Sequence, residues 1–451
     1  MTPTLDRDRL ATLLALEEDR FRALHPRSVA LHDRARNSLL GGVPMTWMVR
    51  WAGGVPLFVT EATGARIRDV DGHEYVDLCL GDTGAMAGHS PGPTVAAITH
   101  AAARGITTML PTEDAIWVGE ELTRRFGLPS WQLTLTATDA NRFALRVARQ
   151  ITGRPRVLVF DWCYHGTVDE TFITLRSDGS AGPRAGAIGP PVDPNLTTRV
   201  VEWNDLEALE AALAHADVAA VLAEPVMTNI GIVHPEPGYH DALREITRRA
   251  GTLLIIDETH TLCAGPGGYT AAFGLQPDML TIGKTIAGGV PAGAYGMSDA
   301  VARQLQSGTH TDDADVGGIG GTLAGNGLST AAIRATLGEV LTLAAFDRMV
   351  PLAARWEAGV ADAIAEAGLP WHVTRLGCRA EYAFRQTPPR TGAEAAAADD
   401  PVLARYLHLF ALNRGVLLTP FHNMALMSPA TTEADVDRHT QVFREALATL
   451  A

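Results

Sequence analysis

Lys284 is the only lysine in this chain of 451 residues, and every other member of its 37 lysines and arginines is an arginine. Both residue types offer positive charge and an aliphatic stem, but only lysine carries an amine that can lose its proton and attack a carbonyl. The composition therefore predicts a Schiff-base lysine at position 284. The alternative is a surface lysine that compositional drift has left in place.

Asp257 is the second candidate for chemistry. It ends the apolar run TLLIID, and Lys284 follows the next such run, MLTIG, 27 residues later. Because neighbouring parallel strands end at the ligand-binding edge of an α/β sheet, both side chains should emerge at that edge. A carboxylate there can keep a pyridine nitrogen protonated while a lysine holds an aldehyde as an imine, which is the chemistry of pyridoxal phosphate.

A phosphate site should accompany such a ring, and the segment TATDANRFALRVA offers one. Thr136, Ala137 and Thr138 precede a helical period, where free backbone N–H groups and the helix dipole attract an anion. A plain helix cap without a ligand is the alternative. Thr322, in GGIGGTLAGNG, is a second phosphate candidate, and Tyr164, in DWCYHG, could stack on a flat cofactor ring.

The elements that must position these residues follow from the hydrophobic pattern. Between about residues 100 and 290, near-continuous apolar runs alternate with helical periods, which predicts a mostly parallel sheet covered by helices. The predicted strands are RVLVF (156–160), VAAVLA (218–223), TLLIID (252–257) and MLTIG (279–283). Helical spacing predicts one helix around Ala140–Ala148 and another in HDALREITRRA.

The rest of the chain is typical of a smaller α+β domain. The N-terminal segment indicates an amphipathic helix, RLGCRAEYAF a strand, TGAEAAAADD an acidic linker, and a terminal helix begins at Glu433. Long loops are expected at 174–199 and 308–327. We therefore predict a large cofactor-binding domain over residues 71–324 and a small domain built from residues 1–70 and 325–451.

Charge and composition argue against several classes of protein. The net charge is −14, and no basic run offers a footprint for nucleic acid or an anionic membrane. No segment approaches the roughly 20 apolar residues needed to span a bilayer, and the first residues lack the pattern of a signal peptide. The cysteines Cys79, Cys163, Cys263 and Cys378 form no Cys-x-x-Cys pair, which favours reduced thiols over disulfides or a zinc site. We expect a cytoplasmic enzyme without a metal.

Together these segments resemble the class III pyridoxal-phosphate aminotransferases of fold type I, and among them glutamate-1-semialdehyde aminomutase and its amino-acid aminotransferase relatives. The resemblance runs from about residue 40 to 440 and is carried by GGVPLFVTEATGARIRDVDGHEYVDL, GRPRVLVFDWCYHG, LAEPVMTNIGIVHPEPGYHDALREI, LLIIDETHT, PDMLTIGKTIAGGVPAGAYG and GGTLAGNG. It implies a homodimer with active sites at the subunit interface. It also implies small-molecule substrates, namely an amine or amino-acid donor and a keto or aldehyde acceptor.

The resemblance implies a role for individual residues around the cofactor ring. Lys284 would be the imine lysine and Asp257 the partner of the pyridine nitrogen. Tyr164 would stack on the ring and Thr259 would cover its opposite face. Asn229 would lie near the phenolic oxygen of the cofactor.

The implied phosphate cup departs slightly from the family pattern. Thr136, Ala137 and Thr138 replace the usual Ser-Gly-Thr, and Asp139 stands where the family usually has glutamate. Thr322 would reach in from the partner subunit. These changes should shift the geometry without removing the hydrogen-bond donors, so we expect phosphate binding to persist.

Two further positions are candidates for contact with the substrate. The DEVMTG of the family is DETHTL here, which places His260 beside Asp257. His260 could hydrogen-bond into the site or merely pack against its neighbours. Asp82 is the other candidate.

The strongest departure lies near the N-terminus. In the aminomutase an arginine after Gly-Gly-Val clamps the substrate carboxylate, but here Trp47 and Met48 stand at that place and Arg50 comes two residues later. In an extended segment this offset moves the group by about 6.6 Å, which is too far for the same bidentate contact. Either the local path rearranges Arg50, or Arg379 binds the carboxylate, or the substrate has none. Met45, Trp47 and Met48 favour a bulky apolar amine pocket, unless they cover the dimer interface.

Three functions follow from this pattern. The first is an aminotransferase that passes an amino group from donor to acceptor through Lys284 in a ping-pong cycle and favours bulky apolar substrates. The alternative is glutamate-1-semialdehyde aminomutase or a related aminomutase or racemase on the same cofactor. A non-catalytic pyridoxal-binding protein is the third, but it should lack Lys284 or Asp257, and both are present.

Overall fold

The computed structural model describes residues 6–189, 192–309 and 315–450. The chain divides into two compact units. We call residues 92–343 and 389–397 the central unit. The remaining residues, 1–91, 344–388 and 398–451, form the terminal unit.

Strands and helices cover most of the described residues. The strands are β1 (Val59–Thr63), β2 (Arg66–Asp69), β3 (Glu74–Asp77), β4 (Ser130–Thr134), β5 (Arg156–Phe160), β6 (Ile173–Leu175), β7 (Ala181–Pro183), β8 (Thr198–Val201), β9 (Val218–Ala223), β10 (Leu253–Asp257), β11 (Met279–Ile282), β12 (Gly293–Met297), β13 (His372–Leu376), β14 (Arg379–Ala383), β15 (Val416–Leu417) and β16 (Met424–Leu426). The helices are α1 (Arg7–Leu24), α2 (Pro26–Ala35), α3 (Gly92–Ala102), α4 (Glu113–Phe126), α5 (Ala137–Thr152), α6 (Leu206–Leu213), α7 (Tyr239–Ala250), α8 (Gly268–Phe273), α9 (Asp299–Thr309), α10 (Gly327–Ala335), α11 (Leu343–Glu366), α12 (Gly392–Ala396), α13 (Pro401–Leu412) and α14 (Glu433–Leu450).

A seven-stranded sheet forms the middle of the central unit, with strand order β4-β12-β11-β10-β9-β5-β8. Only β12 runs antiparallel to its neighbours. The four predicted strands correspond to β5, β9, β10 and β11. The prediction of a mostly parallel sheet is therefore confirmed.

Helices cover this sheet on both faces. In β5, Val157 and Val159 pack in an apolar cluster with residues of α5. The intervening Leu158 and Phe160 belong to a second cluster, which contains residues of α6 and α7. Because successive side chains of a strand point to opposite faces, α5 lies on one face of the sheet and α6 and α7 on the other.

The terminal unit is an α+β structure, as predicted. One sheet has the order β1-β2-β3-β15 and thus joins strands from both ends of the chain, and β13, β14 and β16 form a second sheet. The amphipathic N-terminal helix is α1, and the helix expected from Glu433 is α14.

The boundaries of the units differ from the predicted domain boundaries at residues 70/71 and 324/325. The strand β3, which follows residue 70, pairs in parallel with β15 and therefore stays with the terminal unit. Helix α10, which follows residue 324, packs against α3 and α4 in the central unit. The division consequently falls after Pro91 and Leu343.

Two local predictions were wrong, and the strand predicted at RLGCRAEYAF is present but has a partner that was not predicted. The expected loop at 174–199 contains the hairpin β6–β7, whose turn is held by Asp178 accepting the Ser180 N–H at 2.9 Å. RLGCRAEYAF contains the predicted strand as β14, which pairs through a turn at Gly377, where φ is 56°, with β13 just before it. The expected linker TGAEAAAADD contains α12, which Thr391 caps.

The expected loop at 308–327 is described only in part. It includes a short 3₁₀ helix, Val316–Ile319, capped by Asp315. Residues 310–314 of this segment lie outside the described residues.

Among the described residues, no single helix combines the length and apolar character needed to cross a membrane. The bent pair of segments Gly327–Val340 and Leu343–Glu366 meets those two criteria when taken together.

Candidate active site

Asp257 and Lys284 lie at the carboxyl ends of two adjacent parallel strands, as predicted. Asp257 is the last residue of β10 and pairs in register with Thr281 of β11, and Lys284 follows the end of β11. Lys284 has a φ of 50°, in the left-handed region that a non-glycine residue rarely adopts. Strain of this kind is concentrated at functional sites, because the surrounding structure must impose it.

Asp257 is buried and held by three hydrogen bonds. Its Oδ2 accepts from Asn141 Nδ2 at 2.8 Å and from His165 Nδ1 at 2.9 Å, and its Oδ1 accepts the Thr259 N–H at 3.0 Å. Burial alone would raise the pKa of the Asp257 carboxyl. His165, through its hydrogen bond and charge, together with Thr259 and Asn141, outweighs burial and lowers that pKa below its usual value.

His165 is the cationic partner in this buried pair. Burial by itself would lower the pKa of the imidazole, but Cys163 and Asp257 beside it raise that pKa to about 10. His165 therefore carries a proton at neutral pH and faces the Asp257 carboxylate as a charge. In the motif DWCYHG, His165 is therefore the residue that bonds to Asp257. It directly follows Tyr164, the residue that the sequence analysis singled out.

Asn141 is the second residue that sequence reasoning missed. It is fully buried in α5, where its Nδ2 also donates to the His165 carbonyl at 3.0 Å and its Oδ1 accepts from Thr281 Oγ1 at 2.6 Å. The sequence does indicate Asn141 in one way. It lies on the apolar face of a helix, where a polar side chain needs buried hydrogen-bond partners. Asn141 ties α5, β10 and β11 together at the point where the strands end.

The N-terminus of α5 reaches the same edge of the sheet. Thr136 caps the helix by accepting the Asp139 N–H at 3.1 Å, so the preceding amides of the first turn have no intrahelical partner. Gly283, directly before Lys284, lies against this turn, since a Cβ at that position would come within 2.7 Å of Ala137 N. Glycine at 283 thus permits the close approach of the lysine strand to the predicted phosphate cup.

The DWCYHG loop also packs on this turn. Thr138 Oγ1 accepts the Thr167 N–H at 3.2 Å. Gly166 has a φ of 80°, and a Cβ there would overlap Thr138 Oγ1 at 2.0 Å. Tyr164, in the same loop, is half-buried and makes an edge-to-face contact with Phe172 at 6.5 Å between ring centroids.

The remaining predicted cofactor residues lie in loops of the central unit. Asn229 follows β9 and donates from Nδ2 to the Trp162 carbonyl at 2.8 Å, which places it beside the DWCYHG loop. Thr259 is buried next to Asp257. Thr322 is exposed in the segment before α10. The roles implied for these three residues stay predictions.

His260 contacts the candidate catalytic lysine directly. Its Nε2 lies 2.8 Å from Lys284 Nζ, within hydrogen-bond distance. The ring is half-buried and follows Thr259 in the loop after β10. The sequence placed His260 beside Asp257, and the structure adds its contact with Lys284.

The substrate candidates near the N-terminus lie in the terminal unit, and their backbone differs from what we assumed. Thr46–Arg50 is a 3₁₀ helix and not an extended segment. Trp47, Met48 and Arg50 are all exposed, and the Trp47 ring meets Phe421 edge to face at 5.8 Å. The displacement of about 6.6 Å, which rested on an extended chain, therefore does not apply to Arg50.

Arg379 and Asp82 also lie in the terminal unit. Arg379 is fully buried in β14 and forms an ion pair with Glu381 of the same strand. His422 lies 3.7 Å from the same Glu381 carboxylate. Asp82 is half-buried in the turn after β3, with a φ of 52°. Arg379 thus has a carboxylate partner within the chain already.

These residues fit pyridoxal phosphate. Asp257 Oδ2 has two hydrogen-bond partners, whereas Oδ1 accepts one backbone N–H and keeps a lone pair for a ring N–H. Thr259 Oγ1 is buried and has no hydrogen-bond partner among the described residues, which suits a side chain that faces a ligand. The amides at the start of α5 suit a phosphate group.

Comparison with known proteins agrees with this geometry. The family model "Aminotransferase class-III" matches residues 48–447. Glutamate-1-semialdehyde 2,1-aminomutase of Sorangium cellulosum is 36% identical over 432 residues, which cover 94% of this chain and 96% of that relative.

Two solved structures are similar along nearly the whole chain. A glutamate-1-semialdehyde aminomutase from Pseudomonas aeruginosa is 52% identical with a TM-score of 0.97, covering 99% of this chain and 100% of that one. An omega-transaminase from Sphaerobacter thermophilus is 30% identical with a TM-score of 0.85, covering 94% and 98%. A lysine-to-alanine variant of the Pseudomonas protein has been solved in complex with PMP.

The chain therefore belongs to the class III aminotransferase family. It is an enzyme of fold type I that depends on pyridoxal phosphate, and the predictions of family, fold and cofactor are confirmed. The prediction that bulky apolar substrates are preferred finds no support in these relatives, which favour the alternative, an aminomutase.

Proposed function

We propose that the protein is an aminomutase that moves the amino group of glutamate-1-semialdehyde from carbon 2 to carbon 1. The observation that carries the proposal is the meeting of Lys284 and Asp257 at one sheet edge. This arrangement occurs in a chain that is 52% identical to a glutamate-1-semialdehyde aminomutase over 99% of its length. An intramolecular transfer needs no separate amino acceptor.

Bound pyridoxal phosphate supplies an electron sink that stabilises negative charge on the substrate carbon after its proton leaves. Lys284 would anchor the cofactor and, once the substrate displaces it, carry protons as a free amine. Asp257 would hold the ring nitrogen in its protonated form. Because His165, Asn141 and Thr259 together lower the pKa of Asp257 against the effect of burial, its carboxylate stays ionised at neutral pH.

Arg50 is the residue that we propose for the substrate carboxylate. In a 3₁₀ helix, side chains three residues apart lie over one another, so Arg50 shares the face of Trp47 instead of lying beyond it. Arg50 is exposed, and no ion pair engages it among the described residues. Arg379 is a weaker candidate, because Glu381 neutralises it in a fully buried pair.

A second candidate function is an aminotransferase for bulky apolar amines. It is favoured by the apolar surface at Trp47 and Met48, where Trp47 contacts the ring of Phe421. An omega-transaminase that is 30% identical to this chain belongs to the same structural group.

We further propose that the protein acts as a homodimer in the cytoplasm, with Thr322 contributing to the partner's phosphate site. Two loops of the central unit support an interface there. Met109 and Leu110 are 73% and 71% exposed, and Leu323, next to Thr322, is 49% exposed. The Gly327 N–H donates to the Ile106 carbonyl at 3.0 Å, which holds these two loops beside each other.

The test of function is a comparison of two reactions with the purified, cofactor-loaded protein. In the first, glutamate-1-semialdehyde is supplied alone and 5-aminolevulinate is measured. In the second, a panel of apolar amines is supplied with a keto acid, and the new amino acid is measured. We expect the wild type to turn over in the first reaction and to show little activity in the second. Lys284→Arg should show no turnover in the first reaction. Turnover of apolar amines without formation of 5-aminolevulinate would instead establish the aminotransferase.

A further inference from the structure

His260 and Lys284 form a pair of nitrogen bases that is unexpected from the family pattern. Lys284 Nζ lies 2.8 Å from His260 Nε2. The family motif DEVMTG has methionine at the position of His260, and a thioether cannot take a proton in this pH range. The contact therefore adds a titratable group to the lysine of this chain.

The loop that carries His260 is firmly anchored. Glu258, directly after Asp257, is fully buried. It accepts the Tyr269 N–H at 3.1 Å and further hydrogen bonds from Thr261 and the Thr270 N–H. A Cβ on Gly268 would meet the same carboxylate at 2.4 Å, so the segment fits closely around it. The imidazole is thus presented to Lys284 from a backbone that is fixed on both sides.

Two basic nitrogens at this separation must share a proton. A lysine ammonium has three N–H donors and no lone pair, whereas a neutral imidazole has one nitrogen that accepts. With the shared proton on Nζ, the ammonium donates and His260 Nε2 accepts the hydrogen bond. The titratable groups that precede His260 in its loop are Asp257 and Glu258, and His165 bonds to Asp257.

We propose that His260 is the partner base of Lys284. It positions the amine through Nε2 and accepts the proton that Nζ must lose before its nitrogen can attack a carbonyl. Transfer of one proton from the ammonium to Nε2 would leave a neutral amine and an imidazolium. The amine lone pair would form the C–N bond in place of the carbonyl bond, and the imidazolium would return its proton to the carbonyl oxygen, which leaves as water. The proposal rests on the proposed role of Lys284 as the lysine that bonds the cofactor.

The single lysine makes this pair directly observable in the full-length, cofactor-free chain. Reductive methylation with ¹³C-formaldehyde labels only Lys284 and the N-terminal amine, so the ¹³C signal of Lys284 can be titrated without overlap. The variants are His260→Met, which restores the family residue, and His260→Gln, which keeps an acceptor but cannot take a proton. His215→Met, at an exposed position after α6, serves as a control for the loss of a histidine.

The expected titration of the wild-type signal has two inflections. The upper one belongs to Lys284 and the lower one to His260, because the two nitrogens are in contact. His260→Met should lose the lower inflection and move the upper midpoint down by about one pH unit, because the ammonium loses a hydrogen bond. His260→Gln should lose the lower inflection but keep the upper midpoint. A lower inflection that persists in either variant, or an unchanged upper midpoint in His260→Met, would overturn the proposal.

A second readout follows the loading of the cofactor-free chain and separates this proposal from the proposed function. The rate at which added pyridoxal phosphate bonds to Lys284 is followed by absorbance across the pH range. In the wild type this rate should fall on the acid side at the His260 midpoint, and both variants should lack that step. His260→Gln, which keeps the lysine midpoint, should react about tenfold more slowly than the wild type at neutral pH. If the protein makes no 5-aminolevulinate, both readouts still report on His260. If no absorbance change occurs at all, the role of Lys284 itself is wrong.

Discussion

His165→Ala removes the charged partner of Asp257 and should destabilise the fold as well as the site. The imidazole donates from Nδ1 to Asp257 Oδ2 at 2.9 Å, and both residues are buried. In the variant, the carboxylate keeps its bonds from Asn141 and the Thr259 N–H but loses its counter-charge. A buried carboxylate without its cation is costly, because the protein interior solvates charge poorly.

The loss of unfolding free energy in His165→Ala can be bounded in two ways. Breaking a buried ion pair by removing one partner typically costs about 3–5 kcal/mol. The pKa of His165 is raised from 6.5 to about 10 in the folded protein. At about 1.4 kcal/mol per unit, a shift of this size corresponds to at most about 5 kcal/mol, of which Asp257 supplies a part and Cys163 another. His165→Asn keeps a donor near the Nδ1 position without the charge, so we expect roughly half of that loss for it.

The loss of unfolding free energy in His165→Ala should decrease as the pH rises. The folded-state pKa of His165 lies above its unfolded value, so its stabilisation is complete below about pH 6.5. It is then lost as the pH rises through the folded-state value of about 10. The difference in unfolding free energy between wild type and His165→Ala should therefore be largest near pH 6 and should shrink steadily towards pH 10.

Urea unfolding of the cofactor-free chain at several pH values measures this difference. His240→Ala is the matched control, because burial lowers the pKa of that histidine and it has a carbonyl partner instead of a carboxylate. The loss of unfolding free energy in His240→Ala should not change between pH 6.5 and 10. A difference for His165→Ala that is below about 1 kcal/mol, or that does not change with pH over this range, would refute the assignment of a charged pair.

Three further predictions concern the site itself. Lys284→Arg should abolish turnover although it keeps the charge, since a guanidinium stays protonated, and peptide mapping of the borohydride-reduced wild type should find the cofactor on Lys284. Asp257→Asn should still bind the cofactor, but kcat should fall by orders of magnitude because an amide cannot hold the ring nitrogen protonated; near-full activity would mean that another carboxylate does so. Arg50→Gln should raise KM for glutamate-1-semialdehyde by about tenfold to a hundredfold, the worth of a charge-assisted contact, with kcat little changed. Arg34→Gln, at an exposed position in α2, is its control, and an equal KM in the two variants would exclude Arg50 from the site.

Much of the central unit could be predicted from sequence because its signals are local. The strands β5, β9, β10 and β11 are buried on both faces, so each appears as a short apolar run. Asp257 and Lys284 could be placed together because parallel strands end at one edge. The terminal unit was harder, since β3 pairs with β15 across more than three hundred residues and no local pattern specifies that partner.

Within the site, the residues that bond directly to a reacting group were easier to predict than those that hold them. Lys284 and Asp257 have a chemistry that few other residues share. Asn141 and His165 were missed because their importance lies in a shared partner, the Asp257 carboxylate, which only the fold brings to them. His260 was recognised as a departure from the family, but its contact with Nζ depends on the paths of two loops.

The conformation of the segment Thr46–Arg50 bears directly on the choice between the two candidate functions. An extended chain would place Arg50 beyond the reach of the expected carboxylate contact, and that assumption, together with the apolar side chains of Met45, Trp47 and Met48, favoured apolar substrates. The 3₁₀ helix Thr46–Arg50 instead aligns Arg50 with Trp47, so the same five residues present a guanidinium and an aromatic ring on one face. If Trp47 lines the pocket beside Arg50, Trp47→Ala should weaken large substrates more than small ones while Arg50→Gln weakens only those with a carboxylate. Equal losses for all substrates in Trp47→Ala would place the tryptophan at an interface between subunits and leave Arg50 alone to define the substrate.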